Sequence, residues 1–153
     1  MKANELMIGD WLLNKNIGMI MKVYPMMLSQ MFRRTPDATT EDYGFYPVRL
    51  SEELLLHNGF EKTIQAGMGY NTRDNYRLTF DVDVTYKGHT DTFIHEVKAE
   101  HHLFKNMWDI ETTNGSRICN LEYVHELQHA LRIGGIDREI TVSDNIIKGY
   151  KVL

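Results

Sequence analysis

The run His125-Glu126-Leu127-Gln128-His129 fits the H-E-x-x-H pattern of zinc metallohydrolases. On a helix, histidines four residues apart project from one face and can share a metal ion. The glutamate between them can then take a proton from the metal-bound water. This defines one sharp alternative: a minimal zinc-dependent peptidase with His125 and His129 as ligands and Glu126 as base. A catalytic zinc also needs a third protein ligand. In the metzincin spacing, Arg132 stands where a glycine is required and Gly135 where the third histidine is required, and only 24 residues follow His129. Asp137 and Glu139 come just after a Gly-Gly break, and His95, His101 and His102 lie upstream in a different element. At about 100° per residue, Leu121, Val124, Leu127, Gln128 and Leu131 gather on one side of the helix. Glu122, His125 and His129 centre roughly 150° from them. The expectation is a pair of solvated histidines, with no catalytic residue, no metal and no cofactor; zinc is the alternative.

Weaker constellations read the same way. His95, Glu96, His101 and His102 form a local His/acid cluster, but on a strand His102 points away from His95 and His101. Asp81 and Asp83 share a strand face and are read as solvated, not as paired catalytic carboxylates. Cys119 is expected to be a buried small residue in a strand. Five of the nine methionines fall between Met19 and Met31, the composition of an adaptable partner surface or a soft core. Tyr43, Phe45 and Tyr46 are expected to close the core of the first lobe.

The elements that must position these residues alternate short strands with turn chemistry. Leu6 to Tyr24 reads as short strands separated by Gly9-Asp10 and Asn14-Lys15-Asn16-Ile17-Gly18 and stopped by Pro25. Residues 33–41 read as an exposed loop. Ser51 caps a short connecting helix with Glu52 and Glu53 in its first turn and Leu54, Leu55 and Leu56 on its buried side, ended by Asn58-Gly59. Tyr76, Leu78, Phe80, Val82, Val84 and Tyr86 alternate with polar residues, the signature of a half-buried antiparallel strand. The Lys87-Gly88-His89 turn returns it through Phe93 to Ala99, and Asn114-Gly115 turns a second hairpin. A helix spans 121–133, Ile140-Thr141-Val142 reads as a last strand, and the chain from Ser143 onward as loosely held. The fold class is α+β: a small SH3-like β-barrel lobe over 1–50, then a connecting helix and an antiparallel sheet packed on a C-terminal helix over 51–153.

Composition bounds the partners. The 153 residues carry 17 Lys plus Arg against 21 Asp plus Glu, a formal net charge of −4, with 42% apolar residues. Collagen-like, coiled-coil and wholly disordered chains are excluded. The interspersed charge gives no footprint for a phosphate backbone, so no nucleic acid is expected. Glu5 and Asp10 interrupt any signal-peptide core, and the 17–32 stretch, broken by Lys22, Pro25, Ser29 and Gln30, falls short of the roughly 20 apolar residues of a span. No membrane contact and a cytoplasmic location are expected, and the single cysteine fits a reducing compartment.

MKANELMIGDW at the start, PVRLSEELLLHNGFEK in the middle and YVHELQHAL near the end resemble a family of uncharacterised proteins of similar length from anaerobic gut bacteria and their phages or prophages. Its members open with MKANELRIGNWV-like strands, carry PIPLTEEILLKNGFEK and finish with YVHQLQNLYFALTG. In that pattern the position of His129 is usually Asn and that of Glu126 often Gln. The resemblance therefore implies a helix without a shared zinc site. The expected function is that of a non-catalytic accessory protein of a phage or mobile element, acting through a protein partner or self-association.

Overall fold

In the computed structural model, the structure describes residues 2, 5–34, 38–63, 73–102 and 105–143. Among these residues eight strands and three α-helices follow in the order β1 (Trp11–Asn14), β2 (Met19–Lys22), α1 (Pro25–Arg34), β3 (Phe45–Pro47), α2 (Glu52–His57), β4 (Glu61–Thr63), β5 (Arg73–Tyr86), β6 (His89–His102), β7 (Met107–Thr112), β8 (Arg117–Leu121) and α3 (Val124–Ile133). A 3-10 turn, Glu41–Tyr43, precedes β3. The fold is α+β with two antiparallel sheets. One is three-stranded in the order β2-β1-β3, and the other is a five-stranded meander, β4-β5-β6-β7-β8. Among the described residues the first sheet does not close into a barrel.

The period-two pattern of residues 76–86 is realised in β5, which pairs along its full length with β6 from Arg73↔His102 to Tyr86↔His89. Tyr76, Leu78, Val97 and Ala99 are buried on the inner face. They share one core with Leu54 and Leu55 of α2, with Trp108 and Ile110 of β7, and with Val124, Leu127, Ala130 and Leu131 of α3. Leu13, Val48 and Leu50 from the first fifty residues belong to the same core. Truncating a buried leucine such as Leu127 to alanine costs about 2–5 kcal/mol. Ser51 caps α2 as its sequence predicts, its Oγ accepting the Leu54 N–H at 3.2 Å, whereas Leu56 is 45% exposed.

Several expectations are corrected. Pro25 starts a helix instead of ending a strand: it is the first residue of α1, where its missing N–H costs nothing and its fixed φ is already helical. Met27 and Met31 of α1 pack with Leu6, Leu12 and Val23 in a second core, against which Tyr43 and Phe45 rest. Arg33 belongs to α1, and Ala38 and Thr40 are buried, so the proposed loop over 33–41 is not exposed throughout; residues 35–37 lie outside the described residues. Leu121 ends β8, and α3 begins only at Val124. Ile140 and Val142 are buried, but the segment forms no strand. Its backbone is held by side chains instead: the Ile140 N–H donates to Gln128 Oε1 at 2.7 Å, the Thr141 N–H donates to Asn58 Oδ1 at 2.8 Å, and Trp11 Nε1 donates to the Ile140 carbonyl at 2.7 Å. The reading of the chain beyond Ser143 falls outside the described residues.

Beyond the base of the five-stranded sheet, β5 and β6 run on together. β4 reaches only Asn75 to Arg77 and β7 only Val97 to His102. The pairs from Phe80↔His95 to the tip therefore form a two-stranded arm, roughly 25 Å long at about 3.3 Å per residue. No described helix is long and apolar enough to cross a membrane.

Candidate functional site

The α3 histidines do not face solvent, which corrects the helical-wheel reading. His125 is 5% exposed and His129 is partly buried. The wheel locates the stripe that meets the sheet, but the opposite face of α3 is covered by the N-terminal segment ahead of β1. Gly9, at φ +92°, turns that segment so that its N–H donates to the Val23 carbonyl at 2.8 Å and Asp10 follows directly beneath α3. Asp10 is fully buried. Its carboxylate accepts the Met7 N–H at 2.7 Å and lies 3.1 Å from His129 Nε2 through each oxygen. Asp10 is thus the hydrogen-bond partner of the His129 Nε2 atom.

His125 stacks on Tyr123, with ring centroids 5.7 Å apart, and meets His129 edge-on at 5.8 Å. Its Nδ1 is buried without a hydrogen-bond partner. Burial pushes the imidazole below its ordinary value, against a partial upward pull from the carboxylates of Glu126 and Asp10. His125 is thus held neutral at pH 7. Glu126 is turned to the helix end: its Oε2 accepts the Glu122 N–H at 2.7 Å and the Tyr123 N–H at 2.9 Å, satisfying amides left over at the start of α3.

The three groups of the zinc alternative are therefore brought together, but two of them, His129 and Glu126, are already engaged. His129 Nε2 faces the Asp10 carboxylate, and Glu126 holds two backbone amides instead of aiming at a shared point with the imidazoles. Sequence reasoning missed Asp10, whose only signal was the Gly-Asp turn; 119 residues separate it from His129.

A second cluster lies on the outer face of the five-stranded sheet. Ligand atoms of Glu100, His102 and Asp109 fall within 4.8 Å of one another, the one such grouping among the described residues. His102 Nε2 lies 3.0 Å from Asp109 Oδ2, and Arg117 Nη2 lies 3.0 Å from Asp109 and 3.5 Å from Glu100. The Asn120 N–H, presented by an irregularity in the β7–β8 pairing with Asn120 at φ +62°, donates to Asp109 Oδ1 at 3.0 Å. Burial alone would raise the Asp109 carboxyl, but hydrogen bonds from His102, Asn120 and Arg117 outweigh it and hold it at about 2. The guanidinium of Arg117 already supplies the positive charge that a metal would bring, so this is an ion-pair network. His101 points to the other face and stacks on Trp108 at 4.2 Å, His95 sits beside Phe80, and Glu96 pairs with Arg77 and Lys98. Cys119 is exposed, not buried as expected. Of the Asp81–Asp83 pair, Asp83 accepts the Thr92 hydroxyl at 2.7 Å.

Among the described residues two unengaged surfaces remain. The first is the arm, whose inner face continues the apolar row of β5 past Phe80, which still packs against the core: Val82, Val84 and Tyr86, with Phe93 across from Val82. Tyr86 is 69% exposed, Phe93 51% and, on the reverse face, Ile94 70%. The second is a pocket of about 380 Å³ beside α1, lined by Tyr24, Met27, Gln30, Met31 and Arg33 with Tyr43 and Phe45. It gathers the methionine-rich and aromatic segments singled out in the sequence.

Comparison of the chain with protein-family models, with curated proteins and with solved structures yields no match.

Proposed function

We propose that this protein is a non-catalytic interaction protein, an accessory component of a phage or mobile element, that docks a protein partner through the β5–β6 arm. The arm carries the reading. A two-stranded ribbon is marginal in water without a third strand or a packed layer, yet this one projects for seven residue pairs with large apolar side chains on both faces. An exposed apolar surface of this kind, on an element whose two edges are unpaired among the described residues, suits burial by another protein through side-chain packing and strand addition. The arm also carries Asp81, Asp83 and Asp91 against Lys87, which repels a phosphate backbone and favours a protein partner. The resemblance to gut-bacterial and phage sequences supports the accessory role. A single exposed thiol fits a reducing cytoplasm.

Against catalysis stand the engaged states of His129 and Glu126. The test is site-specific photo-cross-linking in the native host, with the probe at Phe93 and a control at exposed Leu56. Protein adducts concentrated at Phe93 are expected. Equal labelling at the two positions, or one equivalent of bound zinc that disappears in His129→Asn, would overturn the proposal.

A further inference from the structure

We infer that the arm's partner is a second copy of this chain, joined head to tail: Val84 and Tyr86 of one copy enter the α1 pocket of the next, and Asp91 pairs with Arg33 at its rim. The inference rests on the docking role of the arm and names its occupant from charge and shape. From 79 to 94 the arm carries three aspartates and one lysine, a net −2; from 25 to 34 α1 carries Arg33 and Arg34 and no acid, a net +2. Arg33 is exposed and makes no ion pair among the described residues, and neither does Asp91.

Position reinforces charge. Asp91 lies directly across from Val84 on the arm's apolar face, and Tyr86 follows two residues toward the tip, about 7 Å away. The pocket offers the counterpart: Met27, Met31, Tyr43 and Phe45 as an apolar floor, Tyr24 as a wall, and one cation at the edge. Its volume of about 380 Å³ has room for one aromatic ring and a neighbouring aliphatic side chain. Thioether side chains adapt readily to such an insert. Arm-to-arm pairing is disfavoured because it would bring three aspartates against three. A chain does not fill its own pocket, since Tyr86 stands 69% exposed.

An arm-to-pocket contact uses two different surfaces, so it propagates into a ring or a filament. Its small area makes each contact weak, with assembly visible at roughly 100 µM. The experiment is sedimentation velocity of the full chain over a wide concentration range. Wild type is expected to grow beyond its 17.9 kDa monomer mass as concentration rises. Tyr86→Ser and Arg33→Asp alone each stay monomeric. Their equimolar mixture forms a dimer and stops there, because only one intact arm and one intact pocket remain. Asp91→Arg combined with Arg33→Asp in one chain restores growth. Both altered sites are exposed, and far-UV circular dichroism checks that each variant is folded.

A wild type that stays monomeric throughout, or a mixture that forms no dimer while wild type assembles, overturns the inference. Assembly lost with Tyr86→Ser but kept with Arg33→Asp points to arm-to-arm contact and also overturns it. Cross-links from Phe93 to a different protein, with wild type monomeric, overturn the second-copy occupant but leave the docking role standing.

Discussion

The two roles open to Glu126, helix cap and catalytic base, make opposite predictions for a pair of substitutions. Both backbone amides that Glu126 satisfies, those of Glu122 and Tyr123, converge on a single oxygen, Oε2. A glutamine can place its amide oxygen at that same point and keep both bonds; an alanine loses both. Losing an N-terminal capping interaction costs about 1 kcal/mol, and losing a carboxylate from the positive end of a helix about 0.3–1 kcal/mol more. Glu126→Ala is therefore expected to destabilise the protein by about 1–2 kcal/mol. For a chain of this size that corresponds to a fall in Tm of roughly 3–7 °C. Glu126→Gln forfeits only the charge–dipole part, under about 1 kcal/mol. Urea unfolding at pH 7, followed by circular dichroism, measures both. Glutamine as damaging as alanine, or both variants within about 0.3 kcal/mol of wild type, would refute the capping argument. A base role predicts the reverse pattern, with stability untouched and zinc-dependent hydrolysis lost in both.

Three further outcomes follow from the buried polar groups and the arm. Burial lowers the His125 pKa below that of the unfolded chain, so the unfolded state binds the extra proton and wild-type stability declines as pH falls below about 6.5. His125→Leu removes that slope and, by eliminating an unpartnered buried nitrogen, leaves stability at pH 7 equal or higher by about 1 kcal/mol; a variant with the wild-type slope in urea unfolding from pH 5 to 7 contradicts this. Asp109, held at about 2 against an ordinary 3.8, stabilises the fold above pH 4, and that contribution is lost as pH falls from about 4 to about 2. Asp109→Asn should flatten that part of the acid-unfolding profile and cost about 2 kcal/mol at neutral pH; an unchanged profile rejects it. Amides of the arm from 81 to 94, with no neighbouring strand on either edge among the described residues, should exchange with deuterium faster than those of Val97, Ala99 and Ile110, and uniform protection along β5 and β6 would show the arm to be covered.

The legible parts of the fold were those fixed by local chemistry. Six alternating apolar residues from Tyr76 to Tyr86 specify a strand, although its apolar side is buried only at Tyr76 and Leu78 and is exposed at Val84 and Tyr86, and Ser51 followed by two glutamates and a leucine run specifies a capped helix. What escaped depended on partners far along the chain. Pro25 is both a strand stop and a helix start; Met27 and Met31, spaced four apart, decide for the helix only because Leu6, Leu12 and Val23 are there to receive them. Ile140-Thr141-Val142 has strand composition, but its backbone is claimed by the side-chain amides of Gln128 and Asn58 before any ladder forms. At the α3 site the sequence supplied His125, Glu126 and His129 but not the buried Asp10.

That missing carboxylate bears on how a motif of this kind is judged. Two histidines one helical turn apart satisfy a metal in a diagram, but a divalent ion must find lone pairs that are free and convergent. Here the Asp10 oxygens are taken by the Met7 N–H and by His129, and Oε2 of Glu126 by two amides. Each bond given up to a metal leaves a buried donor unsatisfied at about 1–3 kcal/mol, and the Nδ1 of His125, without a partner, is one donor atom where a site needs three. The face of α3 turned from the sheet is thus packed in its own right: Asp10 ties the N-terminal segment to the C-terminal helix through the residue that the motif would have assigned to zinc.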